Sequence, residues 1–224
     1  MAQIASPYGF KPYNLIGSQF NNTSAVREYY MSSNVATAIF FGDIVQVASG
    51  NPQPLTSSPT IGTTHGVVGI CVGVRYFDPT FHYFIEAQFL PANAITNGYT
   101  NVYVKVYEDP DGLFLCQCGA QINATATTAI TTALGKNVGI TYTGGSTTTG
   151  LSAVTINGGS SGANFATTNT LPIRVVDFYW NPLTAPPIPV GAGNMPNQAA
   201  ADLYPDLIVK FNFGQHAYYD ASGN

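Results

Sequence analysis

The stretch that most limits how this chain can fold is residues 101–118, NVYVKVYEDPDGLFLCQC, where β-branched and aromatic residues flank an acidic Pro/Gly segment. Side chains alternate across a strand, so Val102, Val104 and Val106 share one side while Lys105 shares the other with Tyr103 and Tyr107. The valine side is expected to face a core. Glu108, Asp109, Pro110, Asp111 and Gly112 then supply a fixed φ, carboxylates that can hold backbone amides, and a residue free to take positive φ. Residues 113–118 return as a second strand, which predicts a β-hairpin. A hairpin alone is marginal in water, so the rest of the chain must complete its sheet.

Strand patterns recur along the sequence. They fall in 29–41, 42–48, 67–76, 81–90, 138–143, 151–157, 171–180 and 206–213, with turn residues between them. Residues 67–76 are apolar but interrupted by Gly69 and Gly73, which predicts bending or close approach of another backbone. The sole helix candidate is 128–134, stopped by Gly135. These features predict an all-β barrel or sandwich with little helix and an extended N-terminal arm. The expected organisation is an arm at 1–28, a β domain beginning at 29–118, a Thr/Gly/Ser-rich β insertion at 119–170, and returning strands at 171–224 with a Pro-rich loop at 181–198.

Composition narrows the function. Only 8% of the 224 residues are charged, against roughly 25% in an ordinary globular protein. The surface is therefore built from Thr, Ser, Asn and Gly, which suits a protein docked on a larger body. A net charge of −4 with only 7 Lys and Arg argues against direct nucleic-acid binding. Residues 1–10 have neither the charged start nor the apolar run of a signal peptide, and no stretch approaches the ~20 apolar residues of a spanning helix. Synthesis in a cytosol and no membrane contact are expected. Cys71, Cys116 and Cys118 cannot form a closed disulfide framework, which agrees with a reducing compartment.

Chemical motifs are weak. Residues 158–162, GGSSG, fit G-x-S-x-G, and Asp202 or Asp206 followed by His216 gives the chain order of α/β-hydrolases, with Ser160 as nucleophile. The required helix after the serine has no support in the residues that follow. Glu108, Asp109 and Asp111 could offer oxygens to calcium, but the loop fails the EF-hand pattern and a plain turn is favoured. Cys116 and Cys118 share a strand face, yet no fourth zinc ligand accompanies them and Cys71, so small buried hydrophobes are the better reading. No catalytic group, metal or cofactor is expected.

Aromatic and Pro-rich segments near both ends lack the period of a core strand. The arm around 6–17 is therefore expected to lie on the domain or on a neighbouring subunit, and Tyr8, Phe10, Tyr13, Leu15, Ile16, Trp180, Ile188 and Val190 are expected to supply the partner or subunit contacts of the arm and the Pro-rich loop.

In its order of short motifs the chain resembles the capsid decoration, or cement, proteins of tailed bacteriophages. The likeness is carried by SPYGFKP at 6–12, NLIG at 14–17, GDIV at 42–45, VYEDP at 106–110, ALGKN at 133–137, GSTTTGLS at 145–152 and DLIVKFN at 206–212. The resemblance implies a non-enzymatic, β-rich protein on the outer surface of the virion head, bridging neighbouring major capsid proteins and other copies of itself as a dimer or trimer. Two alternatives stand beside it: a carbohydrate-binding head or tail fibre module that contacts the host, and a serine hydrolase using Ser160 and His216.

Overall fold

The computed structural model describes residues 5–15, 26–58, 67–109, 111–120, 132–159, 162–179 and 204–212. Their strands are β1 (Lys11–Leu15), β2 (Val26–Tyr30), β3 (Ile39–Phe40), β4 (Ile44–Ala48), β5 (Asn51–Pro54), β6 (Val67–Asp78), β7 (Tyr83–Ala87), β8 (Phe89–Leu90), β9 (Thr100–Tyr107), β10 (Gly112–Gln117), β11 (Asn137–Val138), β12 (Ile140–Thr141), β13 (Thr155–Ile156), β14 (Ile173–Phe178) and β15 (Asp206–Phe211). Sheet I has the order β1-β10-β15-β14-β11, and sheet II the order β2-β9-β6-β4-β5 with β7 beside the far end of β6. Short ladders β3-β8 and β12-β13 complete a nearly all-β, antiparallel, sandwich-like fold.

Sheet II curls without closing into a barrel. The backbone amides of Ser32 and Ser33, just past β2, both donate to the Asn51 carboxamide oxygen on β5, at 2.8 and 2.9 Å. Inside the curl lies one core, built on Met31, Val45, Cys71, Val74, Leu90 and the expected valines, Val102, Val104 and Val106. A second core sits between the outer face of sheet II and sheet I, where Ile44, Val67, Ile70 and Tyr107 meet Phe10, Phe114, Ile173, Leu207 and Val209. The 119–170 segment joins this second core through Val138, Ile140, Val154 and Ile156.

The predicted hairpin is not formed. Its strands exist, and its turn is held by Gly112 N–H donating to Asp109 O at 3.0 Å and Asp111 N–H donating to the Asp109 carboxylate at 2.8 Å. But β9 pairs with β2 and β6, while β10 pairs with β1 and β15. The turn carries the chain from one sheet to the other. Local residues specify a reversal; which ladder each strand joins is decided by the distant strands that bury its two faces.

Of the two glycines of β6, Gly69 makes the expected close approach, while Gly73 sits at a bulge that bends the strand. A Cβ on Gly69, whose φ is +158°, would lie 2.0 Å from the Tyr107 carbonyl oxygen. The register slips by a residue against β4 between Val45 and Gln46, and against β9 between Cys71 and Gly73. Each slip is a bulge, which reverses the facing of everything beyond it. That is how Val68, Cys71 and Val74, at odd spacing, all reach the inner core.

Residues 5–15 of the N-terminal arm lie on the chain's own sheet I, one of the two placements the sequence left open. Ser6 N–H donates to the Gln117 side chain at 2.9 Å, Phe10 N–H donates to Gly42 O at 2.9 Å, and β1 runs along β10. Phe10 is fully buried, 5.9 Å from the Phe211 ring and 6.5 Å from Phe114. Burying one such side chain contributes roughly 2–3 kcal/mol. The arm lacks strand period because Gly9, at φ +72°, kinks it beneath Ser152, not because it leaves the fold. The helix candidate 128–134 lies mostly outside the described residues; Gly135 has the positive φ, +73°, that its stop required.

Candidate functional site

Sheet I covers only part of the outer face of sheet II. Around Tyr107, Ile70, Val67 and Ile44 that face is apolar and roofed. Beyond Gly73 the same face continues through four paired strands and has no roof among the described residues. Register places Glu28 and Tyr30 of β2 opposite Lys105 and Tyr103 of β9, with Arg75 opposite Tyr103 and Glu86, and Phe77 opposite Phe84. The inward side chains of these strands, including Tyr29, Val74, Ile85 and Val104, fill the inner core. The outward set must therefore stand on the other side.

The exposed set is aromatic and charged. Tyr30 packs against Tyr103 with ring centroids 5.4 Å apart, and Phe77 against Phe84 at 5.4 Å. The Arg75 guanidinium lies over the Phe84 ring, 4.4 Å from its centroid. Ion pairs run Glu28–Lys105 at 4.0 Å, Lys105–Glu86 at 2.5 Å and Arg75–Glu86 at 3.8 Å. Opposite charges thus neutralise one another across the face. At the adjoining β6–β7 turn, Asp78 holds the Thr80 amide at 2.7 Å and Phe81 packs on Tyr83 with centroids 5.8 Å apart. Fractional exposure is 53% at Tyr30, 45% at Phe84, 54% at Tyr83 and 62% at Phe81. Exposed pairs contribute at most about 1 kcal/mol each to stability, so folding alone gives little reason for this face. Aromatic and arginine side chains on a rigid sheet are what protein contacts use.

The residues singled out from sequence do not converge. Tyr8 is half-buried, and its hydroxyl donates to the Asp206 carboxylate at 2.8 Å; burial first, and that carboxylate second, push its pKa well up. Tyr13 is exposed and sits edge-on to Tyr179 at 5.8 Å, while Leu15 is half-buried. Ile16, Trp180, Ile188 and Val190 lie outside the described residues, as do Ser160, Asp202 and His216. Among the described residues, no group of His, Cys, Asp and Glu side chains could hold a metal ion.

The acids of the 108–112 turn each serve a different neighbour: Glu108 accepts from the Tyr29 hydroxyl and pairs with Arg27 at 3.5 Å, and Asp111 pairs with Lys210 at 3.0 Å. Cys116 and Cys118 are buried in the core beneath sheet I and Cys71 in the inner one. Burial raises all three thiols, Cys71 to about 12 and Cys118 to about 11, so none is a ready nucleophile.

One buried acid was not anticipated. Asp43 is 1% exposed and accepts from the Phe40 amide at 2.8 Å. Burial raises its carboxyl to about 6, against the opposing pull of the Ser152 hydroxyl and the Phe40 amide. Its neighbours tie three parts of the fold together, since Gly42 N–H donates to Cys71 O and Phe10 N–H to Gly42 O. It is a structural clasp at the junction of β3, β6 and the N-terminal arm.

No family model, curated protein or solved structure matches the chain.

The uncovered face was partly readable. Tyr103 and Lys105 stand opposite the valines in the sequence pattern, as do Arg75 and Phe77 opposite Val74 and Tyr76. An outward row of rings where Ser or Thr would suffice is the signal that could have found it.

Proposed function

We propose that the protein decorates and stabilises an icosahedral phage head from its outer surface, bridging neighbouring major capsid proteins, and is not an enzyme. The observation that carries this reading is the face of sheet II that no other described residues cover, where Tyr30, Tyr103, Phe77, Phe84 and Arg75 form a rigid aromatic platform on a chain with few charges. The resemblance of its motif order to cement proteins supports a capsid partner for that platform. Contact made only in the assembled lattice stabilises the assembled state by mass action.

The bridging element in this reading is the platform, with Tyr13 as an accessory, and not the whole N-terminal arm, because Phe10 holds the domain's own core. Heads lacking the protein are mixed with the purified chain and sedimented. The wild type is expected to co-sediment at a fixed ratio to the major capsid protein, and Phe84→Ala combined with Arg75→Ala to lose occupancy by about tenfold or more. Wild-type occupancy of that double variant would remove the platform from the mechanism, and failure of the wild type to bind heads would sink the reading itself.

A further inference from the structure

A small cleft opens where β2 ends beside the start of β9. Its rim is polar: Tyr30, Ser32, Tyr99, Thr100 and Asn101. Its apolar part is formed by Met31 and Val102, both buried, together with half-buried Ile95. The cavity volume is about 160 Å³. That is room for roughly five waters' share of liquid volume, well below the ≈ 300 Å³ at which sites for drug-sized ligands begin.

The rim is pre-set. The amide and hydroxyl of Ser32 both bond to the Asn51 carboxamide oxygen, at 2.8 and 3.0 Å. The Tyr99 ring packs on Tyr76 with centroids 4.7 Å apart, and the Tyr30 ring leans on Tyr103 with half its surface still open. Asn101 holds a φ of +48°, a left-handed conformation that asparagine tolerates better than most side chains. No Asp, Glu, Lys, Arg or His is among the described residues that line the cleft.

We propose that this cleft is a subsite for one neutral pyranose ring of a glycan, which stacks on Tyr30 and meets the hydroxyl and amide groups of Ser32, Thr100 and Asn101. The volume is on the scale of a single sugar ring. The lack of charge selects against phosphates, uronic acids and metal ions, each of which needs an opposite charge to offset lost hydration. A ring face beside fixed hydroxyl and amide groups suits a ligand with C–H on one side and O–H around its edge.

The test is saturation-transfer NMR on the full chain with neutral methyl glycosides (glucoside, mannoside, galactoside and N-acetylglucosaminide) and with methyl glucuronide. At least one neutral glycoside is expected to bind with Kd on the order of 1 mM, and the glucuronide at least about tenfold more weakly. Asn101→Gly, which keeps the φ accessible, and Tyr30→Ala are each expected to weaken binding by about tenfold, while Leu134→Ala, exposed and outside both the cleft and the platform, leaves it unchanged. No transfer from any neutral glycoside up to roughly 20 mM, equal binding by both rim variants, or equal binding of the glucuronide would overturn the proposal. Asn101→Gly touches only the cleft and the Phe84/Arg75 pair only the platform, so this result and the head-binding result fail independently.

Discussion

The two halves of sheet II's outer face use the same strands and the same alternation, yet they are composed differently. Under sheet I the outward residues are Ile44, Val67, Ile70 and Tyr107, which interdigitate with another layer. Past Gly73 they are Arg75, Phe77, Tyr103, Lys105, Glu86 and Phe84, which meet no other layer among the described residues. Aliphatic residues gain most from complete burial, whereas rings and guanidinium groups tolerate water and still bind strongly when covered. The contrast separates residues that hold the fold from residues available for contact.

Mutation can break that contrast or sharpen it. The largest effect is expected at the boundary, where Gly69→Ala drives a methyl into the Tyr107 carbonyl. The variant should lose about 4 kcal/mol or more, read as a collapse of the urea midpoint. In the roofed region, Phe10→Ala empties a fully buried ring site and should cost about 3–5 kcal/mol by the same measurement. A loss under about 1 kcal/mol would mean the arm is not part of the core.

Asp43 gives a pH-dependent effect of intermediate size. Its native carboxyl is raised to about 6 from an ordinary value of 3.8, so between those values the folded state keeps a proton that the unfolded state has released. Its contribution is therefore best below pH 3.8 and falls as pH rises through 6, by about 3 kcal/mol in all. Asp43→Asn should flatten this part of the stability profile between pH 4 and pH 7, measured as wild type minus variant. Parallel profiles would show that the carboxyl is not desolvated.

The smallest effects belong to the open region. Phe84→Ala and Lys105→Met should each shift stability by no more than about 1 kcal/mol. Should Phe84→Ala cost as much as Phe10→Ala, the distinction between the two halves would fail.

Much of the architecture was legible because period-2 patterns are local. The valines of β9, the apolar run of β6 and the alternation of β15 each announce a strand and its buried side. Pairing was not legible. The turn at 108–112 has every residue a hairpin needs, and nothing in it tells β10 to leave β9 for β1 and β15. Phe10 was misassigned for a related reason: an irregular segment tied down by Gly42 and Gln117 has no period to reveal it. The cleft draws on β2, the loop before β9 and β9 itself, and Asn101 would draw notice only through a backbone angle that sequence does not display.

The pairing of β1 with β10 sets Lys11 against Leu115, and β10 in turn aligns Phe114 with Val209. During translation the first strand therefore emerges long before its neighbour exists, and that neighbour waits again for the last. Such high contact order slows folding and leaves β1 without its ladder partner until β10 has been made, and β10 without its second until β15 has.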